Sequence, residues 1–269
     1  MYEVVKLTSE FKLSQKQRET FSFVAHDLKT LKNNVPLLEN IVVRAGFVLD
    51  TLLNAEPHDI DTLYTTKEQV GRLFEKCRCD EIRETLPNLR FKIFNKEHEL
   101  DLGHFGKGEV YVPLIEKTVG YHSHLIDVAD MVCIDNNGDI WGNKEAEYCI
   151  KNRVHEIRYD GWILFSYFIK EFPYTDYYYF CTLNIFRGLK MVRSKNYGGV
   201  GHNFLTLLEN SKPILDYTST IPQYIEALNT YRAKKAPFMG REEITKTLEL
   251  TRTSNARYIA ETLYNVFSL

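Results

Sequence analysis

The stretch "RAGFVLDTLLNAEPHDIDTLYTT", residues 44–66, decides how this chain is read. Gly46 stands at the start of a short apolar helix whose face is Val48, Leu49, Leu52 and Leu53. The loop "NAEP" breaks that helix, and "DIDTLY" then alternates as a strand, with Ile60 pointing one way and Asp59 and Asp61 the other. Two carboxylates on one strand face are the donors that hard Mg²⁺ prefers, with its remaining positions left for water and phosphate oxygens. Two such ions roughly 4 Å apart would activate an attacking hydroxyl and stabilise a departing pyrophosphate. A glycine at the start of the helix lets backbone N–H groups come close to a triphosphate. Asp-x-Asp also recurs by chance at polar strand edges, and its spacing from Gly46 and the helix is what favours metal binding.

On the N-terminal side, Phe21, Phe23, Val24, Leu28 and Leu31 recur at three- and four-residue steps, so residues 14–40 are expected to be mostly helical. On the C-terminal side, Thr65 and Glu68 have the spacing of a capping box, ahead of a helix with Val70, Leu73, Phe74 and Cys77 on one face. Short extended runs follow: "LRFKIFN", "HELDL", "EVYVPLI" and "DVADMVCI", the last closed by the turn "DNNGDIW". From about Val154 strand alternation stops and helical patterns run to the end. The expected fold is α+β: a head of mixed sheet and helices over 1–155, then an all-helical part over 156–269.

The composition of this 269-residue chain, 44% hydrophobic and 26% charged, is that of a globular protein. A net charge of −2 gives no global pull toward nucleic acid, so any RNA contact must come from a local basic patch. The apolar run "WILFSYFI", 162–169, is far short of the roughly 20 residues a membrane helix needs, and no membrane association is expected. The N-terminus lacks a charged start followed by an apolar core, so no signal peptide is expected. The five cysteines are read as reduced thiols of a cytoplasmic protein. Cys77 and Cys79 lack a second pair at zinc-finger spacing.

The stretch from Gly46 to Asp61 resembles the signature of the DNA polymerase β nucleotidyltransferase superfamily, in the branch of tRNA CCA-adding enzymes and bacterial poly(A) polymerases. That signature runs GG-x-V-R-D, x-LL-G, a short loop and D-x-D. Here Gly46, Val48 and Asp50 match the first part, Leu52 and Leu53 the second, and Asp59 and Asp61 the last. Further on, "DLGHF" offers Asp101 as the third carboxylate, and "NIFRGLKMVRS" is similar to the family's I-L-R-A-x-R-F helix, with Arg187 and Lys190 in the arginine places. Ala45 stands for the first glycine and Leu49 for the motif arginine; Cys181 and Asn184 stand where the family reads the incoming base. The double arginine of R-R-D is missing, with His122 and His124 near that position.

The resemblance implies a transfer of NMP from an NTP to a hydroxyl, with two Mg²⁺ held by Asp59, Asp61 and Asp101 as the catalytic carboxylates. It implies nucleotide contacts at Gly46, Phe47, Asp50, Arg187 and Lys190, and an acceptor that is an RNA 3′ end, above all a tRNA. Arg193 and Lys195 extend "RGLKMVRSK" as a run of positive charge without an acid, read as RNA contacts or as a solvated helix face. His122 and His124 are read as triphosphate or 3′-end contacts, or as packing residues. The glycine-rich "YGGVGHN", 197–203, suits an interhelical turn better than a phosphate loop, because helix-like sequence precedes it. Transfer to a protein or small molecule, and a silent binding protein on the same fold, remain the alternatives. The oligomeric state is left open.

Overall fold

A computed structural model of the chain describes residues 2–34, 38–57, 60–66, 90–93, 96–103, 113–120, 123, 125–158 and 177–266. It divides into two compact units: Met1–Leu125 with Ala129–Ile150, and Ile126–Val128 with Lys151–Leu269.

The first unit is built on a mixed seven-stranded sheet. Its strands are β1 (Val5–Lys6), β2 (Leu38–Arg44), β3 (Ile60–Thr66), β4 (Arg90–Ile93), β5 (Lys96–Gly103), β6 (Cys133–Asp135) and β7 (Ile140–Gly142). They lie in the order β1-β7-β6-β2-β3-β5-β4. Every neighbouring pair is antiparallel except β3 and β5, which run parallel. Helix α1 (Gln15–Asn34) buries Phe21, Val24, Leu28 and Leu31, but it ends before residue 40. Leu38 instead opens β2, whose Ile41, Val42 and Val43 are all buried. A strand covered on both faces reads as a continuous apolar run rather than an alternation, and so passes for the end of a helix. The start of α1 carries a capping box at Ser14 and Gln17: the Ser14 N–H donates to Gln17 Oε1 at 2.7 Å, and the Gln17 N–H donates to Ser14 Oγ at 3.3 Å.

The capping box expected at Thr65 does not form there. Thr65 and Thr66 continue β3, with Thr65 paired opposite Asn40 and Thr66 opposite Leu38; Glu68 and the expected helix after it lie outside the described residues. The end of "EVYVPLI" is not extended, because Pro113 precedes helix α3 (Leu114–Val119). Proline favours the first turn of a helix, where its missing N–H costs nothing. In "DVADMVCI" only Cys133 onward is strand; Val128–Asp130 is a 3₁₀ turn. The turn after it holds as expected. Asp135 Oδ1 accepts the N–H groups of Asn137 (2.8 Å) and Asp139 (3.0 Å), and Gly138 takes φ 84°, closing the β6–β7 hairpin.

Helix α2 (Gly46–Leu52) packs beside β2 and β3, and α4 (Lys144–Asn152) follows β7. In the second unit come α5 (Tyr177–Ser194), α6 (His202–Glu209), α7 (Ser211–Thr218), α8 (Pro222–Lys235), α9 (Arg241–Thr251) and α10 (Ala256–Val266). Their core holds Phe186, Leu189, Phe204, Leu228, Ile244 and Leu263. A short parallel pair, β8 (Val154–His155) with β9 (Gly199–Val200), ties α5 to α6. The chain is thus α+β: a sheet-bearing head followed by helices. Among the described residues no helix is long and apolar enough to cross a membrane. Cys133, Cys149 and Cys181 are buried free thiols, while Cys77 and Cys79 lie outside the described residues.

Candidate functional site

The site expected from the sequence is assembled on β2, α2, β3 and β5. Strand β2 ends at Arg44 and turns into α2 through Ala45, which takes φ 52° and ψ −125°. That is a backbone conformation suited to glycine, and it is where the resembled signature has its first glycine. The turn is held firmly: the Ala45 N–H donates to Val132 O at 3.0 Å, and its carbonyl accepts the Leu49 N–H at 2.9 Å. At the other end of α2, Gln17 Nε2 donates to the carbonyls of Thr51 (2.8 Å) and Leu52 (3.1 Å). The side chains of Phe47, Leu49 and Asp50 are buried, so at Phe47 only the backbone is available to a ligand.

Asp61 is half-buried on β3, between two neighbours. On one side it pairs with Arg44 of β2; on the other, across the parallel β3–β5 ladder, it pairs with Asp101. The structure therefore brings Asp61 and Asp101 to the same level of one sheet. Asp59 and the histidines His122 and His124 lie outside the described residues. Asp61 and Asp101, at neighbouring register positions, are residues of the type whose carboxylate oxygens a hard divalent cation takes.

Two cations here have no signal in the sequence: Arg44, the register partner of Asp61, and Lys117, which lies near Arg44. The Nε of Arg44 is buried and finds no hydrogen-bond partner. Lys117 on α3 is 7% exposed, and burial, followed by the nearby Arg44 charge, pushes its pKa down to about 8. Like charges near one another favour the neutral form of the more buried one, here Lys117. Only the pairing of β2 with β3 and the packing of α3 on both reveal this arrangement, because the residues are far apart in sequence.

In the second unit, the basic run is not without acids, contrary to expectation. Arg187 Nε donates to Asp127 Oδ2 at 2.8 Å, and Arg193 bonds to Glu243. Burial alone would raise the Asp127 carboxyl, but the charge of Arg187 and its hydrogen bond hold it below its ordinary value. His155 lies 3.7 Å from Asp127, edge-on to Phe204, and neither ring nitrogen has a hydrogen bond. Burial pushes its pKa down to about 4, so His155 is neutral near pH 7 and its approach to Asp127 is no ion pair. Lys190 adds its charge near Asp127. Lys195 is half-buried, its carbonyl accepting from Arg153 at 3.4 Å. Cys181 and Asn184 are buried, and Asn184 bonds back to its own helix at Phe180 O, 2.9 Å. The glycine-rich turn is an ordered connector. Glu156 accepts the N–H groups of Asn203 (3.1 Å) and Phe204 (2.9 Å) at the start of α6, so a carboxylate already occupies the place a phosphate would take.

No protein-family model and no curated protein matches the chain. Solved structures do. A Thermotoga maritima CCA-adding enzyme complexed with tRNA aligns over 100% of this chain and 57% of its own, at 15% identity and a TM-score of 0.51. A Bacillus stearothermophilus CCA-adding enzyme in complex with CTP aligns over 95% of this chain and 53% of its own, at 12% identity and a TM-score of 0.50. The chain therefore spans a little over half the length of the structures it resembles. At this level of identity the shared property is the fold: a sheet-bearing head followed by helices, as in those two structures.

Proposed function

We propose that the chain is a magnesium-dependent nucleotidyltransferase that moves an NMP from an NTP to the 3′ hydroxyl of an RNA, a tRNA first among them. The observation that carries this reading is the register of Asp61 with Asp101, directly beside the β2–α2 turn. Asp59, Asp61 and Asp101 would hold the metal. Bound there, magnesium would supply charge neutralisation of the triphosphate and activation of the hydroxyl. The acceptor hydroxyl gives up its proton to solvent, its oxygen attacks the α-phosphorus, the bond to the bridging oxygen breaks, and pyrophosphate leaves with that electron pair. The chain's own part is positioning and charge. The backbone at Gly46 and Phe47 would face the phosphates, and Arg44 and Lys117 would meet the negative charge that Leu49, in the place of an arginine, cannot.

A second reading has one observation in its favour: Arg187 and Arg193 are already paired with acids, which leaves the helical unit less positive toward RNA than its sequence suggests. On that reading the acceptor is a protein hydroxyl or a small molecule. Incubation with Mg²⁺, each labelled NTP and bulk tRNA separates the outcomes. Label on RNA supports the first reading, label on the protein the second, and no label with any NTP a silent protein.

A further inference from the structure

A groove of about 860 Å³ opens in the first unit, on residues that the catalytic reading does not use. One wall is α1; the others are the segment from Thr8 to Leu13 and the β6–β7 turn. Its floor is apolar, with Phe11 and Phe21, and Lys12, Arg18, His26 and Lys29 line it together with the amides of Asn136 and Asn137. No acid is among its lining residues, in a chain whose acids outnumber its lysines and arginines by 36 to 34. The walls are held in place: the Leu7 N–H donates to Ile140 O at 2.7 Å, the Ile140 N–H donates to Thr8 Oγ1 at 2.9 Å, and Arg18 bonds to the Leu13 carbonyl.

We infer that this groove binds a stretch of the acceptor RNA at a second place, away from the reacting 3′ end. Concentrated positive charge over aromatic carbon is the chemistry that takes up phosphodiesters with an unstacked base between them. Length decides between a strand and a free nucleotide. Arg18, Ser22, His26 and Lys29 follow one another along α1 over about 16 Å at 1.5 Å per residue. One triphosphate is too short to meet charges so spread, whereas successive phosphates of a strand, spaced about 3.4 Å along the axis, reach all of them. Asn136 and Asn137 at the turn add donors and acceptors for a base edge. This inference rests on the RNA-acceptor reading for the identity of the ligand.

The test is the full chain with Lys12→Glu and Lys29→Glu together. Both side chains are exposed, so the fold is not at stake; circular dichroism and a Lys12→Arg/Lys29→Arg control confirm it. Fluorescein-labelled tRNA is titrated by anisotropy at several salt concentrations, with NTP binding measured separately. The expected result is at least tenfold weaker tRNA binding and a salt slope shallower by about 1.4, two phosphate contacts at roughly 0.7 each. NTP binding stays unchanged. Wild-type-like tRNA affinity and slope in the Glu variant would overturn the groove assignment and leave the RNA-acceptor reading intact. If the variant weakens tRNA binding but the wild type labels no RNA, the groove stands and the acceptor reading falls. Wild-type protein that binds no tRNA at all sinks both, and weakened NTP binding in the variant reassigns the groove to free nucleotide.

Discussion

At the scale of single residues, the proposed chemistry turns on Asp61 and Asp101, held in register on β3 and β5. Asp61→Asn and Asp101→Asn should each leave the melting temperature close to that of the wild type and lower the turnover of NTP transfer at least a hundredfold. A ligand charge removed from such a site costs several kcal/mol of transition-state stabilisation. Turnover above a tenth of wild type in either variant would remove that residue from the metal-binding set, with Glu99 on the same strand as Asp101 the next to examine. Ala45 gives a prediction of opposite sign. A non-glycine residue at positive φ carries about 1 kcal/mol or more of strain. Ala45→Gly relieves it at the expense of a looser unfolded chain. The net effect should be a melting temperature raised by a few degrees; a lower one would mean the turn is not strained. The part of the candidate site that was legible is local: Gly46, the helix and Asp61 lie within one short stretch. Arg44 and Lys117 were not legible, since no spacing in the sequence announces that α3 folds onto β2.

At the scale of elements, α5 shows why a charged run is a poor guide to a surface. The spacing of Arg187, Lys190 and Arg193 along "RGLKMVRS" suggested cations in search of phosphate, yet Arg187 is needed by a carboxylate that is 1% exposed. Arg187→Met should therefore destabilise the fold by about 3 kcal/mol, because it leaves the Asp127 charge buried and uncompensated. The double variant with Asp127→Asn should recover much of that loss in chemical denaturation. A stable Arg187→Met protein that fails only in NTP binding would return Arg187 to the substrate side. The Arg187–Asp127 pairing is invisible in the sequence because Asp127 sits sixty positions upstream, out of reach of any periodic pattern. Sequence reading failed at β2 for a different reason: a central strand shows no alternation to tell it from a helix.

At the scale of the whole molecule, pH should act mainly through the second unit. His155 is held down at about 4 from an ordinary 6.5, so the unfolded chain binds the proton first as pH falls. Its contribution to stability is complete above about pH 6.5 and is lost progressively toward pH 4; the depressed Asp127 carboxyl adds a loss of the same sign at still lower pH. Melting temperatures between pH 7 and pH 4.5 should fall, and His155→Leu should flatten the upper part of that fall. An unchanged profile in the variant would place the titrating group elsewhere. The α+β character and the change near the middle of the chain could be read from patterning, since strands and helices differ in period. The order of the strands could not, because pairing is a long-range choice.

The parallel ladder between β3 and β5 has a consequence for how the protein is made. Parallel neighbours cannot be joined by a hairpin. Asp61 and Asp101 therefore meet only after the chain between them has left and returned, with β4 laid against β5 on the way. Closing such a loop is entropically costly and slow compared with forming a helix. In refolding, helical signal should return first and the paired carboxylates last. A nascent or partly unfolded chain would then carry its helices without its chemistry, and catalytic competence would report completion of the sheet.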